Sequence, residues 1–95
     1  MRSLGIDFGE RRIGVAISDE EGRVATPLTT LERSSDRQAV RHLTRLAREE
    51  GVGRLVVGEP LRLDGEPGDA AQRVRGFAEK LAAASGLPTT LVDES

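Results

Sequence analysis

The amino-acid sequence predicts an α/β fold built on one mixed sheet, with its elements in the order β-β-β-α-β-α-β. Three observations predict it. Short apolar runs separated by turn residues occupy the start of the chain, two later stretches carry apolar residues at helical spacing, and each of these stretches leads into another short apolar run. Consecutive strands favour antiparallel pairing, whereas strand-helix-strand alternation favours parallel strands with helices packed on the sheet. The 95 residues contain no internal repeat and no long linker, so we expect one domain over residues 1–95.

The first three strands follow from residue alternation and from turn residues. Residues 3–8 and 13–18 are predicted to form a hairpin, and the second of these strands alternates large apolar residues with small ones, which leaves one face nearly bare. A third strand is predicted over residues 24–31. Pro27 favours an edge position for this strand, because proline cannot donate a hydrogen bond to a neighbouring strand.

The first helix is predicted over residues 36–50. Ser35-Asp36-Arg37-Gln38 matches the capping box that begins many helices, and Gly51 is typical of a helix C-terminus. Apolar residues recur at helical spacing between these two signals, so the helix has one apolar face. That face is formed by Ala39, Val40, Leu43, Leu46 and Ala47.

The second half of the chain alternates strand and helix. Residues 54–58 centre on a continuous apolar run, which is typical of a strand covered on both faces. A loop rich in proline and glycine follows, and a second helix is expected to begin near Asp69 and to end at Gly86. The last predicted strand covers residues 87–92.

Four carboxylates fall at or near the ends of predicted strands. Asp7 lies inside an apolar strand beside glycines, Glu59 follows the strand at 54–58, and Asp93 and Glu94 follow the last strand. Because the carboxyl ends of parallel strands meet at one edge of an open sheet, we expect these side chains to approach one another. Clustered carboxylates repel one another unless cations neutralise them, and hard oxygen ligands suit Mg²⁺ or Mn²⁺.

Such a cluster predicts metal-dependent hydrolysis of phosphodiester bonds. Two ions about 3.5–4 Å apart can orient a water nucleophile and stabilise the leaving oxygen. We predict Asp7, Glu59, Asp93 and Glu94 as catalytic residues, and Asp7, Glu59 and Asp93 among them as metal ligands. The alternative for each is an acid that caps a turn or lies at a loop edge without a catalytic role, and it weighs more for Glu59 and Asp93 than for Asp7.

Basic residues are candidates for contacts with phosphate groups. Arg11 and Arg12 lie in the turn after Asp7, and Arg62 lies in the loop after Glu59, near the same predicted sheet edge. Their alternative role is that of solvated turn residues. Four further arginines follow one face of the first helix and either contact phosphates or form its solvated side. These four are Arg37, Arg41, Arg45 and Arg48.

Composition limits the other classes of function. The formal net charge of −2 argues against strong non-specific nucleic-acid binding by the chain as a whole. The absence of cysteine excludes disulfides, thiolate nucleophiles and thiolate metal sites, and it suits a reducing compartment. No hydrophobic stretch is long enough for a signal peptide or a membrane span, so a cytoplasmic location is expected.

Three segments in order resemble the YqgF/RuvX family. They are Gly5-Ile6-Asp7-Phe8-Gly9 with Arg12 to Ala16, then Val56 to Leu61 with Asp64-Gly65, and then Val92-Asp93-Glu94. The resemblance covers the whole chain. It implies an RNase H-like fold related to RuvC-type Holliday junction resolvases, a role in maturing the 5′ end of small-subunit ribosomal RNA precursors, and metal binding by Asp7 and by the acids of the Asp93-Glu94 pair.

The sequence departs from the family pattern in two places. Family members usually have an apolar residue where Glu59 stands, whereas RuvC-like resolvases have a catalytic glutamate at the end of the equivalent strand, so Glu59 is an additional candidate ligand. Family members also continue beyond the Asp-Glu pair into a last helix that bears another catalytic aspartate. We therefore expect the 95-residue form to lack its C-terminal helix and to be impaired or inactive. We also expect it to self-associate as a homodimer through the surface that this helix would cover.

Two other classes of function stay open at this point. A nucleic-acid-binding or interaction module could keep the fold without cutting its ligand. An ATP-binding fragment of the actin and hexokinase type shares the pattern of a strand with Asp-x-Gly followed by a second strand, but those proteins need two such domains to enclose ATP. The sequence does not distinguish an RNA substrate from a DNA substrate.

Overall fold

The computed structural model describes residues 1–9, 11–19, 25–60 and 68–94, without the side chains of residues 59, 60, 68–71, 93 and 94. These residues form strands and helices in the predicted order β-β-β-α-β-α-β. The elements are β1 (Ser3–Phe8), β2 (Arg12–Ser18), β3 (Ala25–Glu32), α1 (Asp36–Glu50), β4 (Arg54–Pro60), α2 (Gly68–Ser85) and β5 (Thr89–Glu94). Neither of the helices in the described ranges has the length and apolar character needed to cross a membrane.

The strands form one mixed sheet in the order β3-β2-β1-β4-β5. β1, β2 and β3 pair antiparallel, and β1, β4 and β5 pair parallel, which confirms the predicted fold class. β3 lies at an edge, as Pro27 indicated. Val15 pairs with Thr29 and Ala16 pairs with Pro27, so Leu28 is an extra residue that bulges from the edge strand. β1, which carries Asp7, lies at the centre of the sheet.

Both caps of α1 form at the predicted residues, although the Gln38 side chain accepts from the Ser34 hydroxyl and does not complete the reciprocal bond of a capping box. The Ser35 hydroxyl oxygen accepts a hydrogen bond from the Gln38 backbone N–H at 3.1 Å, which satisfies a donor that the first turn of a helix leaves unpaired. At the other end Gly51 adopts φ +65°, and the N–H of Val52 donates to the Ala47 carbonyl at 3.1 Å. This left-handed conformation is easy for glycine and strained for other residues, so the helix ends where Gly51 stands.

Two strands extend further than the sequence predicted. β4 continues through Glu59 to Pro60, and β5 begins at Thr89 and continues to Glu94. The prediction ended the strands earlier because proline and acidic residues are uncommon in strand interiors. Pairing between β4 and β5 keeps both segments extended. The acids expected just beyond the strands are therefore strand residues, and the register of the sheet determines the face on which each one lies.

The hydrophobic core lies between one face of the sheet and the two helices. Phe8 at the end of β1 and Phe77 on α2 are both buried, and their ring centroids are 4.5 Å apart. On β4, Leu55 and Val57 are fully buried against the helices, whereas Val56 is half-buried on the opposite face. The prediction that this strand is fully covered on both faces is therefore wrong for the described part of the chain, because α1 and α2 both contribute to this one core.

Candidate active site

The face of the sheet away from the described helices forms an open groove of about 360 Å³ around β1. Its floor is made of small residues because the strands present glycine and alanine at alternate positions on this side. The residues that line it include Gly5, Asp7, Gly14, Ala16, Gly58 and Val92. The nearly bare face that the sequence predicted for β2 is this surface. Among the residues that the structure describes, the glycines and alanines of this floor leave room for a polymer backbone beside Asp7.

Asp7 is an exposed carboxylate in the middle of this groove. It pairs across the hairpin with Gly14, and a Cβ atom added at Gly14 would lie 3.6 Å from the Asp7 Cβ atom. The Asp7 side chain makes no hydrogen bond or ion pair with any residue that the structure describes. A carboxylate held on a central strand, without a cationic partner among the described residues, is free to face an external cation.

The register of the parallel strands places two other residues beside Asp7. Asp7 pairs with Gly58 on β4, and Gly58 pairs with Val92 on β5, so these three residues form one row on the open face. The position of β4 in the row of Asp7 is therefore Gly58, and Glu59 is the next residue along the strand. The sequence could not locate this row, because a difference of one residue changes the face of the sheet.

The next two rows contain the remaining acids. Glu59 pairs with Asp93, one residue beyond the row of Asp7, and alternation along a strand assigns these two positions to the opposite face. Pro60 pairs with Glu94 in the following row, which returns position 94 to the face of Asp7. Among the side chains that the structure describes, no group of three or more His, Asp or Glu residues is arranged to hold a metal ion. The four predicted catalytic residues thus stay a prediction.

The predicted phosphate-binding arginines lie at different places. Arg12 begins β2 two residues before Gly14, so it belongs to the face that carries Asp7, and its side chain is exposed. Arg11 is exposed in the turn before it. Arg62 lies outside the described residues. The structure therefore brings Arg12 to the Asp7 side of the sheet, and its role in binding phosphate stays a prediction.

Arg33 supports the turn between β1 and β2, and the sequence analysis did not single it out. Its guanidinium carbon lies 4.2 Å from the centre of the Phe8 ring, and its Nη1 donates to the Gly9 carbonyl at 3.4 Å. Its backbone N–H donates to the Arg11 carbonyl at 2.9 Å. These contacts join residues between 22 and 25 positions apart in sequence, so no local pattern could reveal them. Arg33 holds the end of the strand that presents Asp7.

Gly9 closes this turn tightly. Its N–H donates to the Arg12 carbonyl at 3.0 Å, and a Cβ atom at position 9 would lie 2.7 Å from that carbonyl oxygen. A side chain at this position would force the turn to shift. The turn thus fixes where β2 begins, and with it the position of Arg12 relative to Asp7.

The sheet order, the central Asp7 and the open face together define the chain as a protein of the RuvC and RNase H-like fold. Thermus thermophilus RuvC, solved in complex with a Holliday junction substrate, matches with a TM-score of 0.68 at 16% identity over 99% of this chain and 66% of that one. This degree of identity supports the fold alone.

The chain belongs to the RuvX family, whose model is described as Holliday junction resolvase and matches residues 1–95. The resemblance to YqgF/RuvX proteins drawn from the sequence is thereby confirmed. A relative from Chloroflexus aurantiacus strain J-10-fl, named "Putative pre-16S rRNA nuclease", is 47% identical over 91 residues, which cover 96% of this chain and 60% of the relative. The chain thus spans about 60% of the length of this curated relative.

A protein whose name assigns it to another class has a similar fold. Lmo2764 from Listeria monocytogenes, described as "a putative N-acetylmannosamine kinase", matches with a TM-score of 0.64 at 20% identity over 98% of this chain and 35% of that one. The likeness in fold therefore does not separate nuclease from kinase. Membership of the RuvX family does favour the nuclease class.

Proposed function

We propose that this chain is the carboxylate-bearing part of a metal-dependent nuclease that hydrolyses phosphodiester bonds in structured nucleic acid. The observation that carries the proposal is the exposed Asp7 carboxylate, which lies on the central strand in an open groove with small neighbours and without a described partner. Carboxylates in such a position serve RNase H-like nucleases as metal ligands, as the family resemblance implies.

The donor set suits Mg²⁺ or Mn²⁺. Asp7 and the acids at positions 59, 93 and 94 supply only hard oxygen atoms, and the chain contains no cysteine. Positions 7 and 94 share one face and are separated by two strand spacings and two residues, which is roughly 12 Å between Cα atoms. Asp7 and Glu94 would hold the cation from the same face of the sheet. Asp7 and Glu94 therefore fit the role best, and Glu59 and Asp93 are the weaker candidates.

Several residues of the chain would have separate roles in phosphodiester hydrolysis. When bound, divalent cations would activate a water molecule and stabilise charge on the leaving oxygen. Asp7 would hold the cation at the centre of the groove, because β1 is fixed between two neighbouring strands. Gly14 and Gly58 leave space beside Asp7 for the scissile phosphate. Arg12, on the same side of the sheet, would bind a neighbouring phosphate and fix the register of the substrate.

The substrate is proposed to be a ribosomal RNA precursor. The name of the Chloroflexus aurantiacus relative supports this substrate, and the fold of RuvC supports branched DNA as the second candidate. Ribosomal RNA processing would place the reaction in the cytoplasm. The homodimer expected from the sequence stays a prediction, as the structure contains a single chain.

The direct test is a cleavage assay with Mn²⁺ or Mg²⁺ on a structured precursor RNA and on a four-way DNA junction. Any cleavage by this chain should be slow and should depend on the metal, in keeping with the impaired activity expected from the sequence, and Asp7→Asn should lower its rate by at least about 100-fold, because the amide removes the charge that holds the cation. Glu79→Gln, an exposed acid on α2, is the matched control and should leave the rate unchanged.

Three results would count against the proposal. Cleavage that survives Asp7→Asn would mean that the activity comes from another site or from a contaminant. Binding of RNA or of the DNA junction without any cleavage in Mn²⁺ would favour the alternative of a binding module that has kept the fold. ATP binding measured by equilibrium dialysis would revive the kinase-like alternative.

A further inference from the structure

A row of arginines occupies the solvent side of α1, away from the groove that contains Asp7. The row recurs at i, i+4, i+8 and i+11, which on a helix of 3.6 residues per turn confines it to an arc of about 80°. The opposite side of the helix packs into the core. All four side chains of this arginine stripe are exposed, and they are Arg37, Arg41, Arg45 and Arg48.

The stripe differs from arginines that stabilise the fold. Arg2 forms an ion pair with Glu50 at 3.8 Å, and the Arg54 Nε donates to the Ser3 hydroxyl at 2.6 Å. Arg33 contacts Phe8 and Gly9 at the hairpin turn and forms an ion pair with Asp36 at the start of α1. In contrast, no side chain of the stripe forms a hydrogen bond or ion pair with a residue that the structure describes. Even Glu49, four residues after Arg45, is not paired with it.

The spacing of the stripe works against the stability of α1. Arg37 and Arg41 are like charges at i, i+4, as are Arg41 and Arg45, and such pairs destabilise a helix. Arg37 also lies in the first turn, where the helix dipole disfavours a positive charge. A face that is only solvated would be served better by alternating charges. The chain as a whole has a net charge of −2, so the stripe is a local concentration of positive charge and not part of a general excess.

We propose that the arginine stripe is a second nucleic-acid contact surface, which binds the phosphate backbone outside the carboxylate groove. The guanidinium group binds two oxygens of one phosphate, and the stripe extends about 16 Å along the helix axis, so it fits a series of phosphates better than a single small anion. The inference rests on the proposed function in taking structured nucleic acid as the ligand.

An anionic membrane fits the stripe less well. A helix that lies on a membrane inserts its apolar face between the lipids. The apolar face of α1 is already occupied, because Ala39, Val40, Leu43 and Ala47 are buried in the core. Only the charged side is available, and a polyanion without an apolar phase is the partner that matches it.

The test measures binding without cleavage. The affinity of the full chain for an RNA hairpin and for a DNA four-way junction is measured by fluorescence anisotropy in EDTA, between about 50 and 200 mM salt. The double variant Arg41→Gln/Arg45→Gln should bind more weakly. The negative slope of log K against log salt should become less steep by about 1.4 to 1.8, because each lost phosphate contact removes about 0.7 to 0.9. Glutamine keeps the helix propensity of arginine, so the thermal midpoint should stay or rise.

The matched control removes two arginines from the other helix. Arg73 and Arg75 are exposed on α2, and Arg73→Gln/Arg75→Gln changes the net charge by the same amount. We expect Arg73→Gln/Arg75→Gln to change the salt slope by less than half as much as Arg41→Gln/Arg45→Gln does. An equal change in slope in both double variants, or no change in Arg41→Gln/Arg45→Gln, would overturn the proposal. It would also be overturned if Arg41→Gln/Arg45→Gln lost binding to phosphatidylserine vesicles but kept its binding to RNA.

The two proposals fail independently. Asp7→Asn should leave the salt slope unchanged, because the carboxylate does not contact the phosphates that the stripe binds. If the chain never cuts, but its salt slope becomes less steep in Arg41→Gln/Arg45→Gln as expected, the nuclease proposal is refuted and the proposal for the arginine stripe is supported. A chain whose cleavage depends on Asp7, but whose salt slope does not change in Arg41→Gln/Arg45→Gln, would support the nuclease and refute the proposal for the stripe.

Discussion

Glu94→Gln is expected to weaken Mn²⁺ binding by roughly 10- to 100-fold, whereas Asp93→Asn changes it by less than about threefold. The physical reason is the register of the sheet. Position 94 lies on the same face of the sheet as Asp7. Position 93 pairs with Glu59 and is assigned to the opposite face. Isothermal titration calorimetry with Mn²⁺ measures both variants, and each substitution removes one negative charge, so each is the control for the other.

The prediction separates two assignments of the metal ligands. The sequence alone favoured Asp7, Glu59 and Asp93 as ligands, because all three lie near strand ends. The sheet favours Asp7 with Glu94. A larger loss of affinity in Asp93→Asn than in Glu94→Gln would restore the first assignment and would contradict the second.

Phe77→Ala is expected to lower the free energy of unfolding by about 3–5 kcal/mol, the largest effect that we anticipate for a core substitution. Phe77 is fully buried, and its ring lies 4.5 Å from that of Phe8, so truncation would remove a ring pair and leave a cavity. A small domain has a total stability of only about 5–15 kcal/mol. Urea denaturation followed by circular dichroism measures the change.

The control for this substitution is Leu28→Ala. Leu28 is 37% exposed in the bulge of the edge strand β3, so its truncation should change stability by no more than about 0.5 kcal/mol. Equal losses in the two variants would mean that the core between sheet and helices is not the main source of stability. Because Arg33 lies over the Phe8 ring, loss of Phe77 should also loosen the turn beside Asp7.

Local chemistry made much of the fold predictable. The caps of α1 depend on Ser35 and Gly51 alone, and both ends formed where the sequence placed them. Pro27 lacks a backbone donor, which sufficed to place β3 at an edge. Features of this kind involve residues within a few positions of each other, so they can be recognised without knowledge of the tertiary structure.

The candidate site was less predictable because it depends on register. The sequence indicated that acids gather near strand ends, but it could not show that Gly58 and not Glu59 lies in the row of Asp7. It placed Asp93 and Glu94 beyond the last strand, whereas pairing with β4 makes them part of β5. The support from Arg33 depends on contacts between distant segments, which no local pattern encodes.

The proposed active site requires the open face of the sheet to bind a hard divalent cation through Asp7. Titration of ¹⁵N-labelled chain with Mn²⁺ tests this most directly, because the paramagnetic ion broadens the amide signals of nearby residues. We expect the signals of Asp7, Gly14, Gly58 and Glu94 to broaden at the lowest Mn²⁺ concentrations, those of Leu43 and Leu81 in the helices to broaden only at higher concentrations, and Asp7→Asn to abolish the early broadening. Broadening that persists in Asp7→Asn, or that begins on the helix side of the sheet, would contradict the account.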